Sequence, residues 1–433
     1  MRNDDKISKN IDWITVGFYA FFVIIGWLNI FAAVYNPENS QNIFDFSINS
    51  GKQIIWIGTS LLIIVLISAI DYKFYSSFSY LIYGIIIFIC LVTIFLGTEV
   101  KGSKSWFEIG SLRVQPAEFA KFATALALAT YLGGINIKFE KLSTKLIAFA
   151  ILGLPCLLIL LQNETGTVLV FSAFILVLYR EGLSPWFLII GVLATALFIF
   201  TLLFSQQTIF IGIACLAFII IAYLLLSLQK KTTRIKNVLY QVAITLVSGA
   251  LCIGIVISVN FVLNNVLQDH QKKRIQVLID PELDPKGKAY QVTQSKIAIG
   301  SGEILGKGFL KGTQTKFDFV PDQSTDFIFC TIGEEHGWIG ATLLIIAYVL
   351  FLLRLIYLAE RQKERFSRIY GYSVASIIFV HFAINIGMTI GIFPVIGIPL
   401  PFISYGGSSL WSFTILLFIF LKLDAHRRQI LSH

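Results

Sequence analysis

The sequence predicts an all-α polytopic membrane protein. Two observations lead there. Of its 433 residues, 56% are hydrophobic and only 14% are charged, whereas soluble domains carry about 25% charged residues. Uncharged apolar runs, such as residues 14–35 and 76–97, also recur from end to end. Runs of about 20 such residues are long enough to cross a bilayer as helices. A soluble globular protein is excluded, and one membrane domain over residues 1–433 is expected.

Taken in order, the spans are expected at 12–34, 52–70, 76–98, 116–133, 145–161, 165–181, 185–204, 207–228, 238–263, 326–358, 369–393 and 403–423. The first run follows MRNDDKISKNIDW. It is too long for the apolar region of a signal peptide and lacks a small-residue cleavage site, so it reads as the first helix. The segment 326–358 is too long for one straight crossing and is expected to bend near Gly337.

Charge then orients the chain. Arg2, Lys6 and Lys9 precede the first span, and DYKFY, GINIKFEKLSTK, QKKTTRIK, AERQKERFSR and the tail HRRQ alternate with basic-poor links such as YNPENSQNIFDFSINS and SQQ. Short basic loops stay in the cytoplasm, so both termini are expected there. The net charge of +9 has the same cause, and nothing in the chain resembles a nucleic-acid-binding module. Two segments on the outer side break the pattern. VKGSKSWFEIGSLRVQP, from Val100, is basic and amphipathic, and the long stretch 264–325 is basic too. Either would suit an anionic ligand, or equally the headgroups of anionic membrane lipids. Cys90, Cys156, Cys215, Cys252 and Cys330 stand singly in apolar segments. They read as packing residues, with no spacing for a metal site or a disulfide framework.

Four polar clusters could carry chemistry, because polar groups at membrane depth are costly. In WFEIGSLRVQPAEFAKF, from Trp106, Pro116 suits a first helical turn. Glu118 and Lys121 follow at i and i+3 on one face, with Arg113 and Lys104 nearby. They form either an interfacial ion pair or a patch facing a cavity. In LLQNETGTVLV, Glu164 lies between two closely joined spans. It is either a first-turn carboxylate or a cavity ligand. In IDPELDPKGKAYQVTQSKIAIGSGEILGKG, Asp280 and Asp284 each precede proline and could simply start turns. The glycine-spaced, lysine-bearing part around Lys296 lacks the P-loop spacing, although backbone N–H groups at glycines can cradle phosphate. Ser324, Thr325 and Asp326 read as helix N-caps, while Glu334 and Glu335 fall inside the next span. In FPVIGIPLPFISYGGSSLW, Pro394, Pro399 and Pro401 forbid a regular helix. Ser404, Tyr405, Gly406, Gly407 and Ser408 then open the last span. A helix N-terminus there would favour an anion, and small residues would equally allow close packing.

The order of WFEIGSLRVQPAEFAKF, QNETGT, DPKGKAYQ, STDFIFCTIGEEHGWIG and GIPLPFISYGGSSL resembles the RodA/FtsW family, the SEDS proteins, over nearly the whole chain. Ile396, where the division branch usually has lysine, favours the elongation branch. The resemblance implies a bundle of ten core spans. Residues 185–228 would add a helical hairpin, and 264–325 would form a large extracytoplasmic loop. It implies a peptidoglycan glycosyltransferase of cell elongation and shape that polymerises lipid II on the outer face of the cytoplasmic membrane. A class B penicillin-binding protein and other elongation-complex proteins would be its partners.

The family's essential aspartate maps to Asp284, the expected general base, with Ala289 in place of a family glycine. Glu164 stands for a family aspartate and Asn163 for a proline. Lys104, Trp106, Arg113, Glu118, Lys121, Glu164, Lys296, Glu335 and the Ser404–Ser408 stretch are the expected substrate-binding residues. No cofactor is fixed. A hard divalent cation, Mg2+ or Mn2+, would suit carboxylates facing a pyrophosphate. The competing readings are a lipid II flippase, a non-catalytic scaffold for the penicillin-binding protein, and a sporulation-specific member of the same family.

Overall fold

A computed structural model describes residues 10–35, 42–100, 102–110, 112–135, 137–227, 235–261, 264–265, 272, 287–315 and 319–427. It is predominantly helical. Asp12 caps helix α1 (Trp13–Val34) by accepting the backbone N–H of Thr15 at 3.1 Å. Next come α2 (Asn49–Ala69), the short α3 (Tyr72–Ser77) and α4 (Ser79–Leu96). Three short strands follow: β1 (Thr98–Val100), β2 (Ser103–Ile109) and β3 (Leu112–Val114). Then come α5 (Pro116–Gly133), α6 (Leu142–Leu161), α7 (Thr165–Val170) and α8 (Ala173–Arg180). After α9 (Pro185–Leu203), α10 (Gln206–Ser227) and α11 (Ile235–Phe261), the chain closes with α12 (Lys288–Ser301), α13 (Ile328–Glu360), α14 (Arg365–Thr389) and α15 (Gly407–His426).

Among the described residues, nine helices are long and apolar enough to cross a membrane. The protein is a multi-pass membrane protein. The twelve expected spans all appear as helical segments, but three fall short of that measure. The 165–181 segment breaks into α7 and α8, α9 is shorter in its apolar part, and α5 is alanine-rich. Helix α13 departs from helical geometry at Gly337 (φ 64°, ψ −165°), so the long segment bends at the expected place.

Two compact units are present. The first comprises Met1–Leu183 and Tyr290–His433. Its centre is α5, which packs against α4, α6, α14 and α15. Ala117, Ala120, Ala123, Ala125, Ala127 and Ala129 are all buried. Lipid tails are as apolar as leucine side chains, so helices in a bilayer associate through close packing, which small residues permit. That is why α5, which falls short of the nine apolar spans, can lie innermost. Helices α14 and α15 are also largely buried, while α2 and α4 expose most of their surface. Aromatic contacts fill the rest, with Phe22 stacked on Tyr348 at 4.3 Å between ring centroids.

The second unit, Ser184–Ala289, holds α9, α10 and α11, with Leu197, Ile209 and Val256 buried between them. Residues 185–203 and 206–227 form α9 and α10, and both pack against α11. Most of the unit's remaining apolar side chains, Phe218 and Tyr223 among them, are exposed.

The sheet is an addition that the sequence reading did not contain. β1 pairs antiparallel with β2 (Glu99 opposite Lys104), and β2 with β3 (Glu108 opposite Arg113). Both reversals carry a glycine in the left-handed region, Gly102 (φ 85°) and Gly110 (φ 64°), where a side chain would be strained. The stretch 264–325 likewise contains helix α12, so it is more than a loop.

Candidate active site

The first turn of α5 carries the main charged cluster. Pro116 opens the helix, and its missing N–H is no loss at that position. Lys121 Nζ donates to Glu118 Oε2 at 2.8 Å, and both side chains are buried. The same Nζ lies 2.9 Å from His381 Nε2 on α14 and 4.6 Å from the centroid of the Phe413 ring on α15. The interfacial ion pair considered from sequence is therefore wrong in one respect. Lys121, at 1% exposure, lies under protein cover and not at a surface.

The proline-rich segment 394–406 is joined to this turn through His381. His381 Nδ1 lies 3.3 Å from the Pro399 carbonyl. Ser412 Oγ donates to the Glu118 carbonyl at 2.6 Å. The N–H of Gln115 donates to Ser408 Oγ at 3.1 Å, and Ser408 Oγ donates to the Arg113 carbonyl at 3.3 Å. Asn385 Nδ2 bridges the carbonyls of Asp326 (2.8 Å) and Ile398 (2.7 Å). Ser404 Oγ donates to the Thr325 carbonyl, and the N–H of Tyr405 to the Ser324 carbonyl.

These contacts correct one expectation. Helix α13 starts at Ile328 with Phe327 as its N-cap residue and no side-chain cap bond. Ser324 and Thr325 instead offer carbonyls to the segment that opens α15. At that opening the Gly406 N–H is 3.3 Å from Gln53 Oε1. A Cβ on Gly407 would stand 2.8 Å from the Trp56 ring, so glycine here permits close packing.

The sheet and the α6–α7 turn form a second group. Glu164 Oε2 accepts from Ser103 Oγ (2.6 Å) and Ser105 Oγ (3.0 Å), and the Lys104 N–H donates to the Gln162 carbonyl (3.1 Å). Glu164 thus tethers β2. Alternation along β2 turns Ser103 and Ser105 inward and leaves Lys104 exposed, with Trp106 half-buried. Arg113 is exposed and pairs with Glu108 at 2.7 Å across the sheet.

The glycine-spaced stretch after α12 packs backbone to backbone against the α13 bend. Lys307 N–H donates to the Glu334 carbonyl, Gly308 N–H to the Glu335 carbonyl, and Trp338 N–H to the Glu303 carbonyl. A Cβ on Gly302, Gly306 or Gly337 would overlap backbone atoms there. Close approach of two chains explains this spacing without phosphate. Glu334 is buried and accepts from Lys307 Nζ (2.7 Å) and from the N–H groups of Thr313, Gln314 and Thr315. Glu335 receives the N–H groups of Leu310 and Gly312. It keeps one buried oxygen, Oε2, without a hydrogen-bond partner among the described residues. Lys296 on α12 is exposed, with its Nζ beside Gly391 at the end of α14. Asp280 and Asp284 lie outside the described residues.

Ser408 thus meets the backbone of Gln115 and Arg113 just before the Glu118–Lys121 pair, whereas Ser404 and Tyr405 bond the carbonyls of Thr325 and Ser324, Gly406 faces Gln53 and Gly407 packs against Trp56. His381, Asn385, Ser412 and the serine pair of β2 were missed from sequence. The signal for His381, Asn385 and Ser412 was polarity within apolar segments, and that for the serines was the period-two alternation of SKSWFEI.

A family described as cell cycle protein, comprising FtsW, RodA and SpoVE, matches residues 12–209 and 205–429. The chain belongs to this family. The FtsW/RodA/SpoVE relatives include the peptidoglycan glycosyltransferase MrdB of Escherichia coli (strain K12). It is 31% identical over 381 residues, covering 88% of this chain and 86% of the relative. The peptidoglycan glycosyltransferase RodA of Treponema pallidum is 33% identical over 432 residues, covering 93% of this chain and 95% of the relative. Solved structures share the fold. A peptidoglycan synthase complex chain matches with a TM-score of 0.69 at 23% identity, covering 98% of this chain and 99% of that one. The rod shape determining protein RodA of Thermus thermophilus matches with a TM-score of 0.60 at 21% identity, covering 96% and 97%.

Proposed function

We propose that this chain is a peptidoglycan glycosyltransferase of cell elongation that polymerises lipid II. The observation that carries the reading is the convergence of the Glu118–Lys121 turn, the end of β3 and the broken segment 394–406 in one network. Broken helices and charged groups at membrane depth mark substrate paths, and the relatives named above are peptidoglycan glycosyltransferases.

In the reaction, a sugar hydroxyl attacks the anomeric carbon that bears the pyrophosphate. The new glycosidic C–O bond forms as the carbon–oxygen bond to the pyrophosphate breaks. A single displacement inverts that carbon, as a β-linked product requires. The Asp284 carboxylate takes the hydroxyl proton, a role that contributes about 10²–10⁴-fold in known general-base enzymes. The departing pyrophosphate needs positive charge. Lys104 and Lys296 are exposed and suited to that work. Arg113 shares its charge with Glu108, and Lys121 is covered by Glu118, His381 and Phe413, so Lys121 serves to fix the α5 turn.

A divalent cation would need Asp284 and phosphate oxygens as ligands. Among the described residues no three His, Cys, Asp or Glu side chains gather as a ligand set, and Glu118, Glu164 and Glu334 are occupied by protein donors.

The positive-inside rule supports an orientation with both termini in the cytoplasm and the site outside. Its support is the basic end of the first unit. There Arg361 pairs with Asp424, Arg365 with Glu181 and Arg180 with Glu360, within segments that positive-inside orientation keeps in the cytoplasm. The partner is a class B penicillin-binding protein, by analogy with the peptidoglycan synthase complex that coordinates polymerization and crosslinking. Purified chain with its transpeptidase partner and labelled lipid II should yield glycan polymers. Movement of lipid II across vesicles without polymer would replace the reading with a flippase.

A further inference from the structure

We propose that His381 is a positioning residue for glycan transfer, holding the Lys121 ammonium against Glu118 through Nε2 and tying the pair to Pro399 through Nδ1. The inference rests on the glycosyltransferase reading.

The geometry assigns the tautomer. A carbonyl oxygen can only accept, so the contact of 3.3 Å between Nδ1 and the Pro399 oxygen puts the ring proton on Nδ1. Nε2 then carries a lone pair, which accepts from the Lys121 ammonium at 2.9 Å. A second ammonium proton goes to Glu118 at 2.8 Å, and the remaining direction is covered by the Phe413 ring at 4.6 Å. His381 itself meets Phe413 edge to face at 4.7 Å and is 1% exposed. Among the described residues, the imidazole thus joins the charged turn of α5 to the proline-rich segment that leads to Ser404–Ser408. A buried ammonium left without one acceptor bears the full cost of the lost bond. It would turn away and carry the α5 turn with it, and displacements of about 1 Å near a reaction can cost about 10²-fold in rate.

Three substitutions separate this role from packing. In His381→Gln the amide oxygen falls near the Nε2 position and still accepts from Lys121. In His381→Asn the amide nitrogen falls near Nδ1, which keeps Pro399 and loses Lys121. His381→Phe keeps the ring and loses both bonds. Polymerisation of labelled lipid II with the partner bound, together with thermal unfolding in detergent, reads the outcome. We expect Gln to retain kcat within about threefold of wild type, and Asn and Phe to lose about tenfold or more, with KM little changed. In a Lys121→Met background, Gln and Asn should no longer differ. Asn or Phe matching wild type would overturn the proposal. So would Gln failing like Asn, or all three variants losing activity only as they lose the fold. No polymer from wild type itself would remove the underlying glycosyltransferase reading, an outcome distinct from any variant failing beside an active wild type.

Discussion

Lys121 is buried with two polar partners and an aromatic face. Deleting one member of such a pair strands the other's charge in a buried site. Lys121→Met should therefore destabilise the protein by about 3–5 kcal/mol, read as a fall in thermal unfolding midpoint in detergent. A midpoint unchanged from wild type would mean that Glu118 finds another donor. The pair itself was legible in the sequence, because i and i+3 residues share a helix face. Its burial was not, since that depends on α14 and α15, and His381 lies 260 residues from Lys121. Glu164 was legible only as a carboxylate near a helix start. Its partners, Ser103 and Ser105, sit on a strand that the reading lacked.

At the scale of elements, the bend of α13 and the glycine-spaced stretch before it form one device. Gly337 and Gly306 both have positive φ and both meet backbone. Gly337→Ala should cost about 1–3 kcal/mol for the left-handed conformation alone, with more for the overlap. The expected result is a lower unfolding midpoint and lower polymer yield, while alanine at Gly17, which has nothing near its Cβ position, should leave both unchanged. The bend was legible because 33 residues exceed one crossing. The purpose of the glycines was not, because the backbone they meet lies about 30 residues away in the chain, in a different element. The sheet was missed for another reason. SKSWFEI alternates at period two between Gly102 and Gly110, which is a strand signal, but its lysine and flanking basic residues drew the reading towards an amphipathic membrane-surface segment.

For the whole molecule, the helical class and the order of segments followed from apolar runs alone, because a bilayer admits little else. Which helices lie inside did not follow. Helix α5, which falls short of the nine apolar spans, is central because alanine allows close approach, and hydropathy does not measure that. Orientation is testable directly. In a cysteine-free background in intact cells, Lys104→Cys should react with a membrane-impermeant thiol reagent and Lys138→Cys should not. Both positions are exposed, and the reverse pattern would invert the topology.

The central claim is that this chain itself makes glycan strands with Asp284 in its active site. The measurement that bears on it most directly is polymerisation of labelled lipid II by purified wild type and Asp284→Asn, each with a transpeptidase-dead partner and each shown to be folded. The account predicts long glycan products from wild type and none from Asp284→Asn. Equal products from both would contradict it, returning Asp284 to the role of a turn residue before Pro285.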